Sequence, residues 1–120
     1  MSPTQPMIGI VGPCAAGKTT LVQALRARGV NCKAIAQKHS YVADMWKRLS
    51  KPDVLIFLEV SYPVTLQRRQ LNWTQSEYDI QIDRLHHAFQ HADLRIATDQ
   101  FTPEQILEKV LDFLHVKKIT

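Results

Sequence analysis

Residues 12–19 read GPCAAGKT, and this stretch decides the fold. It fits G-x-x-x-x-G-K-[ST], the pattern of a loop that wraps around phosphate groups. An apolar run over residues 7–11 predicts a buried strand before it, and a helix is predicted after it over residues 18–28. Gly12 and Gly17 let the backbone turn and approach an anion without a clashing Cβ. The stretch therefore predicts a phosphate site at a strand–helix junction, and we call residues 12–19 the phosphate loop.

The residue types of the loop indicate a nucleotide and its metal. Backbone amides and the positive end of the helix attract the phosphates. Lys18 is placed to neutralise the outer phosphates, and Thr19 offers a hydroxyl oxygen to Mg²⁺. We therefore expect ATP and Mg²⁺ as cofactors, with Lys18 as a catalytic residue and Thr19 as the metal ligand. The predicted nucleotide-binding residues are Gly12, Pro13, Cys14, Ala15, Ala16, Gly17, Lys18, Thr19 and Thr20.

Length and composition describe one globular domain over residues 1–120, with 45% hydrophobic and 22% charged residues. No apolar run is long enough for a membrane span, and no signal peptide is recognised. Two cysteines make no disulfide framework, so we expect a cytoplasmic protein. The net charge of +4 fits an anionic partner, but no long basic block is present, which argues against nucleic acid.

Strand and helix patterns alternate along the rest of the chain. This alternation predicts an α/β domain with a parallel sheet. Two capping boxes, Thr74 with Glu77 and Thr102 with Gln105, mark helix starts, and Trp73 is interpreted as a hydrophobic staple. Further strands are predicted over residues 31–36, 53–60 and 94–98, and further helices over residues 41–49, 63–70, 74–91 and from 102 onward. The buried stripe of the helix over residues 74–91 is predicted to comprise Tyr78, Ile82, Leu85, Phe89 and Ala92.

Three segments resemble the small P-loop kinases, the group of nucleoside monophosphate kinases and shikimate kinase. They are residues 8–29, 52–69 and 92–114, which together cover more than half of the chain. The resemblance implies a compact P-loop fold with strand order 2-1-3-4 and helices on both faces. It also implies transfer of a phosphoryl group from ATP to a small metabolite or nucleotide. The family usually has five core strands, whereas four are predicted here. The absent strand would lie between the second strand and the loop strand, where it often carries an acid that helps to hold Mg²⁺.

The resemblance also suggests catalytic residues outside the loop. Arg68 and Arg69 stand where the family's helix leads to a lid, and one of them would stabilise the transferring phosphoryl group. A solvated basic helix end is the alternative. Asp44 would orient or deprotonate the acceptor hydroxyl; alternatively it stabilises a helix dipole. Glu59, at the end of an apolar run, is a candidate for the absent acid, although it lies on a different strand.

Aromatic and histidine clusters leave two further interpretations open. His39, Tyr41 and Trp46 could frame an acceptor pocket, or Tyr41 and Trp46 could be packing residues. His87 and His91 share a helical face, but no neighbouring cysteine or carboxylate supports a zinc site.

A phosphotransferase is the favoured function, with a nucleoside triphosphate and a small-molecule acceptor as partners and no membrane. A nucleotide-binding protein without efficient catalysis, in a regulatory or scaffolding role, is the main alternative, because the metal-holding acid is missing. A nucleic-acid-associated ATPase is a third alternative, suggested by the positive charge. The acceptor, the choice between ATP and GTP, and the oligomeric state stay open.

Overall fold

The computed structural model describes residues 6–37, 42–69 and 73–116, without the side chains of Leu49 and Arg69. The predictions for His39 and Tyr41, and for the side chain of Arg69, lie outside the described residues. The described strands are β1 (Ile8–Val11), β2 (Cys32–Ala34), β3 (Val54–Glu59) and β4 (Leu94–Ala97). The described helices are α1 (Lys18–Ala27), α2 (Met45–Ser50), α3 (Tyr62–Arg69), α4 (Gln75–His91) and α5 (Pro103–Val116), and a 3₁₀ turn spans Thr98–Gln100.

The four strands form one parallel sheet in the order β2-β1-β3-β4, which confirms the predicted fold class and strand order. Ile8 of β1 pairs with Cys32 on one side and with Val54 on the other. No strand therefore lies between β2 and the strand that leads into the phosphate loop. Parallel strands place their carboxyl ends at one edge of the sheet, which is where ligands bind in this class of fold.

Helices cover both faces of the sheet, as predicted. Alternate residues of β3 point to opposite sides: Ile56 and Leu58 pack with α1 and α5, whereas Leu55 and Phe57 pack with α2 and α4. Burial on both faces explains why the strand reads as a continuous apolar run rather than as an alternating one. Ile106, Val110 and Leu114 form the buried face of α5, and Leu107 and Leu111 pack against the same core.

The predicted start of α4 is confirmed in detail. Thr74 is its N-cap, and the reciprocal hydrogen bonds with Glu77 form the capping box. The rings of Trp73 and Tyr78 meet edge to face with centroids 6.0 Å apart, which is the expected hydrophobic staple between N′ and N4. This arrangement fixes the angle at which the chain enters the helix.

Two sequence predictions need correction. The second helix begins at Met45 rather than at residue 41, with Asp44 at its N-cap position. On α4 the buried stripe contains Gln81, Leu85 and Ala88, while Ile82 is 37% exposed. The prediction holds for Leu85, Phe89 and Ala92, which pack on the core, and is wrong for Ile82, because Gln81 rather than Ile82 takes the buried position one turn before Leu85.

The two edge strands of the sheet are short. β2 has three residues and β4 has four, and each carries an exposed basic residue, Lys33 in β2 and Arg95 in β4. Within the described ranges, none of the helices has the length and apolarity needed to cross a bilayer.

Candidate functional site

The phosphate loop starts directly after β1 and is shaped by close backbone packing. A Cβ on Gly12 would lie 2.4 Å from the backbone oxygen of Leu58 in β3, so no side chain fits there. Gly17 is the N-cap of α1 and has φ of 96°, a conformation that favours glycine. Ala15 also has positive φ, at 66°, although it carries a side chain. These three positions curl the loop over the carboxyl end of the sheet.

The Lys18 side chain folds back over this loop. Its Nζ donates to the carbonyl oxygen of Gly12 at 2.6 Å and to that of Pro13 at 2.9 Å. The ammonium is thereby held at the mouth of the loop, where an incoming phosphate would compete with the two carbonyls for it. Thr19 and Thr20 follow in the first turn of α1, and both are exposed.

A cleft of about 450 Å³ opens beside the loop. Its polar side is formed by Ala15 to Thr20 together with Arg68, and its other side is formed by Phe101, Pro103 and Ile106. The start of the loop, Gly12 to Cys14, does not line this cleft. The combination of a loop rich in backbone amides, two cations and an apolar wall suits a ligand with phosphates at one end and a flat ring at the other.

Arg68 connects α3 to both the loop and β4. Its Nη1 donates to the carbonyl oxygen of Ala15 at 3.2 Å and to Oγ1 of Thr98 at 2.9 Å, and Nη2 donates to the Thr98 carbonyl. Thr98 is fully buried and donates in turn to the Glu59 carbonyl at 2.8 Å. The structure therefore brings Arg68 to the cleft, with its guanidinium fixed by neutral acceptors.

Asp44 lies outside the cleft, at the start of α2. Its Oδ1 accepts a hydrogen bond from Nε of Arg48 at 3.0 Å, one helical turn away. That hydrogen bond is the main reason why the pKa of Asp44 is lowered. The side chain makes no capping hydrogen bond. The role of Asp44 toward an acceptor stays a prediction.

A buried glutamine follows β2, the strand that pairs with the loop strand β1. Because β2 pairs directly with β1, the residues after β2 lie next to the loop strand, and Gln37 is found there, almost fully buried. Its Oε1 accepts from the Trp46 backbone N–H at 2.7 Å, and its Nε2 donates to the carbonyls of Val42 at 2.8 Å and Arg84 at 3.2 Å. No carboxylate lines the cleft among the described residues. Among the residues that line the cleft, Thr19 and Thr20 offer hydroxyl oxygens, the type of ligand that Mg²⁺ prefers.

Glu59 faces away from the cleft, toward α4. It lines a separate groove of about 230 Å³ together with Phe57, Tyr78 and His86. Burial raises the pKa of Tyr78, and the nearby carboxylates of Asp99, Asp79 and Glu59 add to the effect. As the candidate for the absent acid, Glu59 is on the wrong side of β3 in this structure, because odd-numbered residues of that strand point to the α4 face.

Trp46 and the histidines form a packing cluster. Trp46 belongs to α2 and is buried in the core cluster that also contains Leu85 and Ala88 of α4, so the packing interpretation holds for this residue. Its Nε1 donates to Nδ1 of His87 at 3.1 Å, and the rings of His87 and His91 stack with centroids 4.2 Å apart. In the described ranges, no group of three histidine, cysteine or carboxylate side chains could hold a metal ion.

The sequence analysis missed Gln81, which contacts the phosphate loop from α4. Its Oε1 accepts from the Cys14 backbone N–H at 3.1 Å, and its Nε2 donates to Cys14 Sγ at 3.3 Å. A signal was present, because residue 81 is in helical phase with Tyr78 and Leu85 on the inner face. A glutamine in that stripe already implies a polar partner in the interior.

The chain matches no protein-family model and no curated protein. Among solved structures it is similar to shikimate kinase from Acinetobacter baumannii, determined in complex with shikimate. The TM-score is 0.61 at 16% sequence identity, and the match covers 98% of this chain and 97% of that chain. At this identity the likeness shows the P-loop kinase fold and leaves the substrate open.

Proposed function

We propose that this protein is a phosphotransferase that uses ATP and Mg²⁺ to phosphorylate a small molecule. The observation that carries the proposal is the cleft itself, in which a phosphate loop with Lys18 and Thr19 lies beside Arg68 and opposite an apolar wall. The similarity in fold to a shikimate kinase supports the same reaction class.

The nucleotide would lie along the cleft with its phosphates on the loop. The amides at the start of α1 would bind the phosphate oxygens, and Lys18 would leave the carbonyls of Gly12 and Pro13 to neutralise the outer phosphates. Phe101 and Pro103 would contact the base, since flat rings pack well against apolar and aromatic side chains. Magnesium, when bound, would supply charge neutralisation at the phosphates, and the hydroxyl oxygen of Thr19 would be its protein ligand.

Phosphoryl transfer depends on positioning and on charge neutralisation more than on covalent chemistry. Arg68 borders the phosphate end of the cleft, so we assign to it the stabilisation of the negative charge that develops on the transferring group. Arg69 is the second candidate for this role. Asp44 is proposed to orient the acceptor hydroxyl. Its carboxylate would then have to release Arg48 and accept a hydrogen bond from the acceptor hydroxyl instead.

Nucleotide binding is tested first, by thermal unfolding with and without Mg·ATP. A ligand that binds only the folded state at one hundred times its Kd adds about 2.7 kcal/mol of stability. Lys18→Ala should lose most of the resulting rise in Tm. Lys33→Ala removes an exposed lysine from the edge strand β2, and this variant should retain the rise in Tm on ligand addition. Equal rises in wild type and Lys18→Ala would show that the nucleotide does not bind at the loop.

Catalysis is tested by single-turnover assays with labelled ATP and pools of small hydroxyl-bearing acceptors. The proposal expects the label to appear on an acceptor, and expects Lys18→Ala to abolish the transfer. Binding of Mg·ATP without transfer to any pool would refute the phosphotransferase assignment.

A nucleotide-binding protein without efficient catalysis is the second candidate. The observation that favours it is the cleft lining, which includes no carboxylate among the described residues. Without a carboxylate in the cleft, the metal would have Thr19 as its proposed protein ligand, and its position relative to the outer phosphates would be less constrained. This candidate predicts tight nucleotide binding, a rise in Tm that depends on Lys18, and no turnover.

A further inference from the structure

Gln81 is an unusual residue for the interior of a helix that packs on a sheet. It lies in the middle of α4 and is 8% exposed, and both polar atoms of its amide form hydrogen bonds with one residue of the phosphate loop. The oxygen accepts from the Cys14 N–H, and the nitrogen donates to Cys14 Sγ. The two residues are 67 positions apart in the chain. A leucine would fill the same space, so the distinguishing property of Gln81 is its hydrogen bonding.

The loop residue next to Cys14 needs external support. Ala15 has φ of 66°, and a non-glycine residue in the left-handed region is held there only when its surroundings require it. Arg68 binds the carbonyl of Ala15 from α3, and Gln81 binds the N–H of Cys14 from α4. Two successive loop residues are thus held from two helices that only five residues connect.

We propose that Gln81 is a positioning residue, which sets the shape of the phosphate loop before any ligand arrives. A loop that is already in its binding conformation loses less freedom when phosphate binds, so its affinity for phosphate groups is higher. If the loop moved away, the buried amide of Gln81 would lose its partners, and an unsatisfied buried polar group is costly. The inference rests on the proposed function for the identity of the ligand, a nucleoside phosphate.

The test compares three variants. Gln81→Met keeps the length and approximate volume of the side chain but removes its hydrogen bonds. Gln81→Asn keeps the amide but shortens the reach by one methylene, and it serves if the methionine variant folds poorly. Leu85→Ala is the matched control. Leu85 is fully buried one turn later on α4, so the substitution removes core packing and leaves the loop contacts of Gln81 in place.

Two readouts separate positioning from general stability. The first is amide hydrogen exchange of Cys14, measured by NMR without ligand; the second is the Kd for Mg·ADP and for inorganic pyrophosphate, measured by calorimetry. Gln81→Met and Gln81→Asn should speed exchange at Cys14 at least tenfold and weaken both ligands roughly tenfold. Leu85→Ala should lower Tm while leaving Cys14 exchange and both Kd values within about twofold of wild type.

Three outcomes would overturn the proposal. Wild-type protection of Cys14 in both Gln81 variants would show that the hydrogen bond does not hold the loop. Lost protection with unchanged Kd values would show that loop shape does not affect binding. Equal effects of Gln81→Met and Leu85→Ala would reduce Gln81 to a packing residue. A wild-type protein that binds neither ligand would refute the proposed function instead, and the exchange at Cys14 would still decide whether Gln81 shapes the loop.

Discussion

Gly12→Ala should destabilise the fold more than Gly17→Ala, although both glycines belong to the same loop. The added Cβ at residue 12 would lie 2.4 Å from the backbone oxygen of Leu58 and 3.3 Å from the Cβ of Ala16. The first contact is with the backbone of a paired central strand, which cannot turn aside as a side chain can. At residue 17 nothing in the protein lies within 4 Å of the new Cβ, and the substitution is strained only by its φ of 96°.

These contacts set the expected magnitudes. Relieving the overlap at residue 12 requires β1 and β3 to separate by roughly half an ångström, which places the cost near the upper end of overpacking, about 3 kcal/mol. The left-handed backbone at residue 17 costs an alanine about 1 kcal/mol. For a chain of this size each kcal/mol lowers Tm by about 4 °C, so we expect losses of about 12 °C and about 4 °C.

Thermal and urea unfolding of both variants measure these losses, and ligand titration adds a second comparison. Gly17 lines the cleft, so Gly17→Ala should weaken Mg·ADP binding in spite of its mild effect on stability. Equal losses of stability in the two variants, or a larger loss for Gly17→Ala, would refute the reasoning from the Leu58 contact.

Three further predictions concern the site and its pH dependence. Arg68→Ala should lower turnover roughly 10³-fold, far more than the loss of nucleotide affinity expected from its contact with the Ala15 carbonyl, and losses of equal size in turnover and affinity would show that Arg68 only braces the loop. Asp44→Asn should lower turnover at least tenfold with no measurable change in Tm, because its ion pair is exposed; unchanged turnover would remove it from the acceptor site. Tyr78→Phe should cost about 1 kcal/mol at neutral pH through the lost hydrogen bond to the Val60 carbonyl. Because burial raises the pKa of Tyr78, the unfolded chain ionises first above its ordinary value of 10.0, so wild-type stability should fall as pH rises past that value. The phenylalanine variant should show a smaller alkaline loss in urea titrations, and identical profiles would contradict this.

The elements that were predicted well are those with strong local signals. The phosphate loop has a fixed spacing of glycines and a lysine, β3 is a continuous apolar run, and α4 opens with a capping box and a staple. Each of these features depends on residues that are close in sequence. The strand order came from the resemblance to the small P-loop kinases, and the structure confirms it.

The parts that sequence patterns missed are long-range polar contacts. Gln37 and Gln81 are buried because each finds its partners in another element, and hydrophobicity patterns treat a glutamine as a surface residue. Glu59 is a candidate for the absent acid because it ends an apolar run, but the alternation of side chains along β3 turns it to the opposite face. Predicting these positions requires knowledge of which helix covers which face of the sheet.

The short, charged edges of the sheet bear on how copies of this chain meet each other. An exposed edge strand offers unpaired N–H and C=O groups to which another chain can add. Here β2 offers three residues around Lys33, and β4 offers four around Arg95, whose guanidinium also donates to the carbonyls of Phe89 and Gln90. Short basic strands on both sides oppose end-to-end growth of the sheet through like-charge repulsion. The two strongly apolar strands, β1 and β3, lie in the middle of the sheet, so a second copy of the chain meets only the short basic strands at its edges.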